Sequence, residues 1–275
     1  MTLLTVAALA PAVFLCIYVF KMDRNEKEPV SLLLKLLLYG ALGCIPVVII
    51  GGFLEDILKA VFPFTMFPRN VSVHLYNFLY YFIVVALVEE GVKCFIMYRQ
   101  TEKHPEFNSL FDGVIYAVFV SLGFAALENV LYVTQNGWIN AIMRAVLSVP
   151  GHMFYGVMMG YYYSLIHIYK KAAEYEESFI FDGYITEPRH RISHSGYRWK
   201  CLIVPTLAHG LYDFLCTMGT GLSVIMLMAF VIFMYVHCFR RISRMSQADK
   251  SDLNCVAQIL FKKYPGLYEK LKNNQ

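Results

Sequence analysis

Apolar residues are gathered along this chain into seven long blocks, at residues 2–20, 30–53, 73–97, 110–134, 139–168, 201–218 and 222–239. Each is long enough for a helix to cross the hydrocarbon of a bilayer, which takes roughly 20 residues. The polar breaks fall at 21–29, 55–70, 99–108, 135–140, 170–200 and 219–221. Two of them, carrying KMDRNEKEP and EPRHRISHSGYRWK, have the makeup of water-exposed loops. The pattern predicts an all-α fold, a polytopic transmembrane bundle of about seven helices. Two further stretches stand outside that count. Residues 57–67 are too short to span and read as re-entrant or interfacial. The tail, with Leu253, Val256, Ile259, Leu260 and Phe261 ahead of Lys262 and Lys263, reads as an amphipathic helix resting on the inner leaflet.

Composition supports the bilayer as solvent. The chain is 58% hydrophobic and only 16% charged, where a soluble domain is about a quarter charged. The formal charge of +4 is too small to argue for nucleic-acid binding. Seven scattered cysteines without CxxC spacing, mostly inside apolar runs, indicate neither a disulfide framework nor a thiolate zinc site.

The placement of Lys and Arg sets the expected orientation. Of the 24, 19 lie in 21–29, 98–108, 170–200 and the segment from 240 onward. Cytoplasmic loops are the ones enriched in basic residues, so the N-terminus is expected outside and the C-terminus in the cytoplasm. The first block has no basic residue before it and Lys21 and Arg24 just after, the wrong order for a cleaved signal, so it reads as an uncleaved first helix.

An ionisable side chain near the bilayer centre costs roughly 2.5–3.5 kcal/mol, which makes each one a functional candidate. Glu89, Glu90 and Lys93 follow a long apolar run. Lys93 is spaced to pair with either carboxylate on a helix. One reading is an ion pair near the inner interface with Lys93 snorkelling to the headgroups. The other is a pair of neighbouring carboxylates in which one serves as general acid or base. Glu128 and Asn129 sit after a small-residue stretch (Gly123, Ala125, Ala126) suited to close helix packing, and Asn129 also reads as interhelical glue. His152 follows Pro150-Gly151, where a kink would aim it at a neighbour. It reads as a packing residue or a ligand. Gly156 and Gly160 make a GxxxG packing face, and Arg144 reads as an interfacial anchor. His209 and Asp213 share a helix face four residues apart, as a self-satisfied pair or as a ligand with its orienting partner. Together these groups can converge in a bundle core. Imidazole and carboxylate suit Zn²⁺, and a zinc-bound water with a nearby Glu is one way to perform hydrolysis where water is scarce.

The segments VEEGVK (88–93), FDGVIYAVFVSLGFAALENVLY (111–132), PGHMFYGVMMGYY (150–162) and PTLAHGLYDF (205–214) resemble, in order, the signatures of the PrsW family. These include EExxK, GFA-x-x-EN-x-x-Y, a His before a Gly-containing helix, and HG-x-x-D/N. Members of that family are intramembrane proteases related to the CAAX-processing and bacteriocin-immunity membrane proteases. The resemblance therefore implies an enzyme of a bacterial cytoplasmic membrane that cleaves a single-span membrane protein such as an anti-sigma factor, in a site-one-type step. Carried over by position, it implicates Glu89, Glu90 and Asp213 as catalytic, and Glu128, His152 and His209 as ligands of a Zn²⁺ ion. Either Glu89 or Glu90 would be the base. Lys93 would hold the unused carboxylate, Asp213 would orient His209 or stabilise the intermediate, and Asn129 would support the site. The expected organisation is an N-terminal helical part (1–70), a catalytic core (71–240) with a cytoplasmic loop at 170–200, and a cytoplasmic tail (241–275). A metal-free glutamate mechanism also fits the resemblance. Two other classes use the same buried groups: a proton- or metal-coupled transporter, and a non-catalytic immunity-type protein in which they only fix packing.

Overall fold

The computed structural model describes residues 3–24, 26–62 and 68–273. It is all-α, with no strand among the described residues beyond one isolated bridge between Ser109 and Ser251. In chain order the helices are α1 (Leu3–Met22), α2 (Val30–Leu42), α3 (Cys44–Val61), α4 (Arg69–Leu79), a π-helical stretch (Tyr80–Ala86), α5 (Leu87–Thr101), α6 (Asp112–Val146), α7 (Ser148–Phe181), α8 (Ser195–Thr217), α9 (Gly221–Gln247), α10 (Asp252–Lys263) and α11 (Leu267–Asn273). Five stretches of helix are long and apolar enough to cross a membrane, and the fourth of these, Asp112–Phe181, folds back on itself.

Helix α6 is the centre of the bundle, with a fully buried run from Val114 to Val118. Small residues let its neighbours come close. A Cβ at Gly40 would stand 2.1 Å from the Val120 carbonyl oxygen, and one at Gly123 would stand 2.0 Å from that of Leu37. On another face a Cβ at Gly160 would stand 2.4 Å from the Gly113 carbonyl oxygen. Backbones in contact maximise dispersion where lipid offers no hydrophobic drive. The GxxxG pair is thus a packing face.

Several sequence expectations are corrected. The second block is one span-length helical stretch, Val30–Val61, interrupted only at Gly43 between α2 and α3 and longer than the 30–53 expected. Residues 57–61 complete α3 rather than forming a re-entrant piece, and 63–67 lie outside the described residues. The break expected at 135–140 is a turn at Gly137 (φ 74°), after which residues 138–146 double back before α7 begins at Ser148. Residues 138–146 form a helical stretch of their own, and its apolar side chains merged with the next span in the hydropathy pattern. Pro150 makes no kink. It occupies the first turn of α7, where no backbone donor is missed. The 170–200 segment is mostly helix, because α7 runs on to Phe181 and α8 starts at Ser195.

The basic ends of the helices form one cap. Met22 O accepts from Ser246, Phe111 N donates to Asp249, Tyr116 donates to Glu28, and Asp252 N donates to Asn108 O. The tail does not lie with its apolar face on a leaflet. Val256, Leu260 and Leu267 bury against Ile168, Ala172 and Ile185 of the α7 extension and its following loop. Glu176, 1% exposed, accepts from Lys263, Tyr264 and Ile192 N and holds the two parts together.

Candidate active site

The π-helical stretch carries one extra residue per turn, a local widening often found beside functional groups. Here it leans on α8, because Gly210 has no side chain: a Cβ there would stand 2.7 Å from the Phe82 ring. That close approach brings His209, the preceding residue, to the start of α5. His209 Nδ1 lies 2.9 Å from Glu90 Oε1.

Lys93 does not snorkel. It is 0% exposed, and its ammonium donates to Glu89 Oε2 (3.1 Å) and Glu90 Oε1 (2.8 Å). The same Nζ stands 3.1 Å from His152 Nδ1 and 4.3 Å from the Phe124 ring centroid. An ammonium has no acceptor, so His152 Nδ1 must accept and the proton sits on Nε2. That nitrogen is 2.9 Å from Glu128 Oε2, which receives it. At His209 both ring nitrogens face carboxylates, Glu90 through Nδ1 and Asp213 Oδ2 through Nε2 at 3.3 Å. The ring of Tyr155 stacks on His209 at 4.7 Å and fixes its plane.

The residue that sequence reasoning set aside is Arg144. The turn at Gly137 sends the 138–146 stretch back over the bundle. Arg144 Nε then donates to Asn129 Oδ1 at 2.8 Å, and Nη2 lies 3.0 Å from Glu128 Oε2. It is not an interfacial anchor. The rule that singled out the other charges, a charge inside an apolar run, applied equally to Arg144. Asn129 is interhelical glue as well, since its Nδ2 donates to Ala8 O of α1 at 2.6 Å.

Glu89, Glu128, His152, His209, Asp213 and Arg144 line one cavity of about 480 Å³, which extends past Tyr132 and Leu147 towards the end of the bundle opposite the basic cap. Glu90 and Lys93 lie behind it. Every site residue expected from the sequence is therefore either on this wall or hydrogen-bonded to it.

For a metal, the donors whose ligand atoms converge are Glu89, Glu90 and His152, within 4.8 Å of one another. The expected set of Glu128, His152 and His209 shares only His152 with this group. Glu128 and His209 instead hydrogen-bond to His152 and Glu90. Carboxylates and imidazole suit a zinc-class ion, and Glu90 Oε2 is buried without a partner. The donor set therefore fits. Lys93 is the cation these three groups already share, so an ion bound by them would compete with its ammonium.

A sequence profile described as "PrsW family intramembrane metalloprotease" matches residues 28–237. The chain is similar to "Protease PrsW" of Geobacillus kaustophilus, with 33% identity over 76% of this chain and 77% of that one. It is similar to "Protease PrsW" of Clostridioides difficile at 31% identity, covering 83% and 85% of the two chains. "Protease PrsW" of Oceanobacillus iheyensis is 29% identical, over 88% and 95%. No solved structure matches.

Proposed function

The chain belongs to the PrsW family of intramembrane metalloproteases and is a multi-pass membrane protease; from that premise we propose that residues 71–240 hydrolyse a peptide bond of a single-span membrane protein, of the anti-sigma-factor kind, with Glu89 as general base. With the N-terminus outside, as the bias of Lys and Arg supports, the cavity opens towards the outer half of the membrane. The observation that carries this reading is the position of Glu89. Its carboxylate lines the cavity, while Glu90, Lys93 and His209 stand behind and beside it within hydrogen-bonding reach of one another.

In the proposed step, a water in the cavity loses a proton to Glu89 as its oxygen bonds to the scissile carbonyl carbon. His209, held through Nδ1 by Glu90 and stacked on Tyr155, turns its Nε2 N–H from Asp213 to the carbonyl oxygen as charge develops there. The proton on Glu89 then passes to the amide nitrogen, the C–N bond breaks, and the amine leaves. Lys93 keeps two adjacent carboxylates compatible. A zinc-class ion bound by Glu89, Glu90 and His152 would supply a more acidic water. Glu89 would then be divided between the roles of ligand and base.

Co-expression with a tagged single-span substrate tests the reading. Glu89→Gln, Glu90→Gln and His209→Ala are expected to abolish cleavage while the protein accumulates normally, and unchanged cleavage in all three rejects the assignment. Dialysis of the purified protein against a chelator separates the two forms of the mechanism. Loss of cleavage restored by zinc selects the metal, and full retention selects glutamate alone.

A further inference from the structure

A second polar feature lies away from the catalytic cavity, at the basic end of α9. His237, Arg240, Arg241 and Arg244 recur at i, i+3, i+4 and i+7, so they share one face over about 10 Å of helix. None of the three arginines forms an ion pair among the described residues. The Arg241 guanidinium lies 4.1 Å from the Tyr161 ring of α7, and its Nη2 is 3.5 Å from His237 Nε2. These side chains line a groove of about 550 Å³ whose remaining lining is largely apolar, with Phe233 and Val236 one to two turns earlier on α9 and Tyr161 and Leu110 facing it. A smaller pocket of about 70 Å³ continues it along α7 and shares Tyr161, His237 and Arg241.

We propose that this groove is a binding site for one anionic glycerophospholipid. The depth is right, because the apolar run of α9 ends as the arginines begin, which is where headgroups lie. Guanidinium groups bind phosphate through paired N–H donors, and basic pockets between membrane helices are suited to acidic headgroups. The apolar half decides the source of the phosphate. Phe233 is 58% exposed and Val236 44%, so a free anion would leave that surface bare while an acyl chain covers it. The ligand would bridge α7 to α9 from the lipid side. The proposal is independent of the proteolytic reading, since no residue of the groove lies in the catalytic cavity.

Thermal unfolding of the full-length protein in neutral detergent tests it, with phosphatidylglycerol, phosphatidylcholine or inorganic phosphate added. Phosphatidylglycerol at saturation is expected to raise Tm by about 5 °C, with no rise from phosphatidylcholine or phosphate. Replacing Arg240, Arg241 and Arg244 together by Gln is expected to remove the rise. Should that variant fold poorly, Val236→Trp, which fills the groove without touching charge, is expected to remove it too. A control replacing the exposed Lys103, Arg198 and Lys200 by Gln is expected to keep the full rise. An equal rise with inorganic phosphate overturns the lipid assignment. So does a rise unchanged in the groove variants, or lost equally in the control, which would mark diffuse attraction to a charged surface.

Discussion

Arg144 and Glu128, sixteen positions apart along α6, meet at 3.0 Å because the helix turns at Gly137 and doubles back. Glu128 in turn holds His152 Nε2, so one guanidinium sets the carboxylate that sets the imidazole. Removing one member of a poorly hydrated ion pair leaves the other uncompensated, at a cost on the order of 3 kcal/mol. Arg144→Leu is expected to lose stability of that order in detergent unfolding and to lower cleavage. Arg144→Lys is expected to recover part of the stability but less of the cleavage, because a single ammonium cannot bridge Asn129 and Glu128 as the planar fork does. Equal behaviour of the two variants would count against this geometry.

Stability should fall as pH rises across the neutral range, and the cause lies in the cap outside the spans. Burial pushes the Glu28 carboxyl up to about 9, with the Asp112 carboxylate beside it adding to the shift. Burial likewise lifts Asp23 to about 6, against the Glu28 N–H bond that lowers it. A raised carboxyl pKa means the folded state holds protons that the unfolded state has released. That contribution is complete below the ordinary carboxylate range and is lost as pH climbs to the folded pKa. Glu28→Gln is expected to flatten the decline in Tm between pH 6 and pH 9 and to be the more stable protein at pH 9. A Tm of wild type that rises over this interval would contradict the cap.

Helix α2 should tolerate no side chain where it crosses α6. A Cβ on Gly40 or Gly123 would meet backbone oxygen at about 2 Å, and backbone cannot yield as a flexible side chain can. Gly40→Val or Gly123→Val is expected to cost about 2–3 kcal/mol or more, seen as a loss of monodisperse protein by size exclusion. Gly91→Ala, which meets nothing within 4 Å, is the matched control and is expected to be silent.

Much of this was legible in the chain. Hydropathy separated the spans, and the expense of charge in lipid pointed to Glu89, Glu90, Glu128, His152, His209 and Asp213, which the fold does bring together. What escaped was set by backbone detail that apolar patterning does not encode. A single glycine with positive φ at 137 divided one apolar block from the next and moved the start of α7 by nine residues. Trp138, Ile139 and Ile142 of the intervening stretch are as apolar as any spanning residue. The π-helical widening before Glu89 leaves no mark on hydropathy, since its residues are uniformly apolar or aromatic. The tail was read as amphipathic, and one face of it is buried. The partner of that face was not foreseen, because an apolar face looks the same whether it meets a leaflet or another helix.

The total burial of Lys93 bears on how the molecule is built. Helix α5 brings one counter-charge for two acids into the bilayer, because Lys93 is shared by both glutamates on the same helix. Helix α8 pairs Asp213 with His209 within itself, and the other nitrogen of that imidazole faces Glu90 on α5. The later helix thus carries its acid already paired, whereas the earlier one holds a second acid until the imidazole of its neighbour is present. Insertion of the later helix should therefore complete the site, its imidazole meeting the acid that the earlier one leaves over.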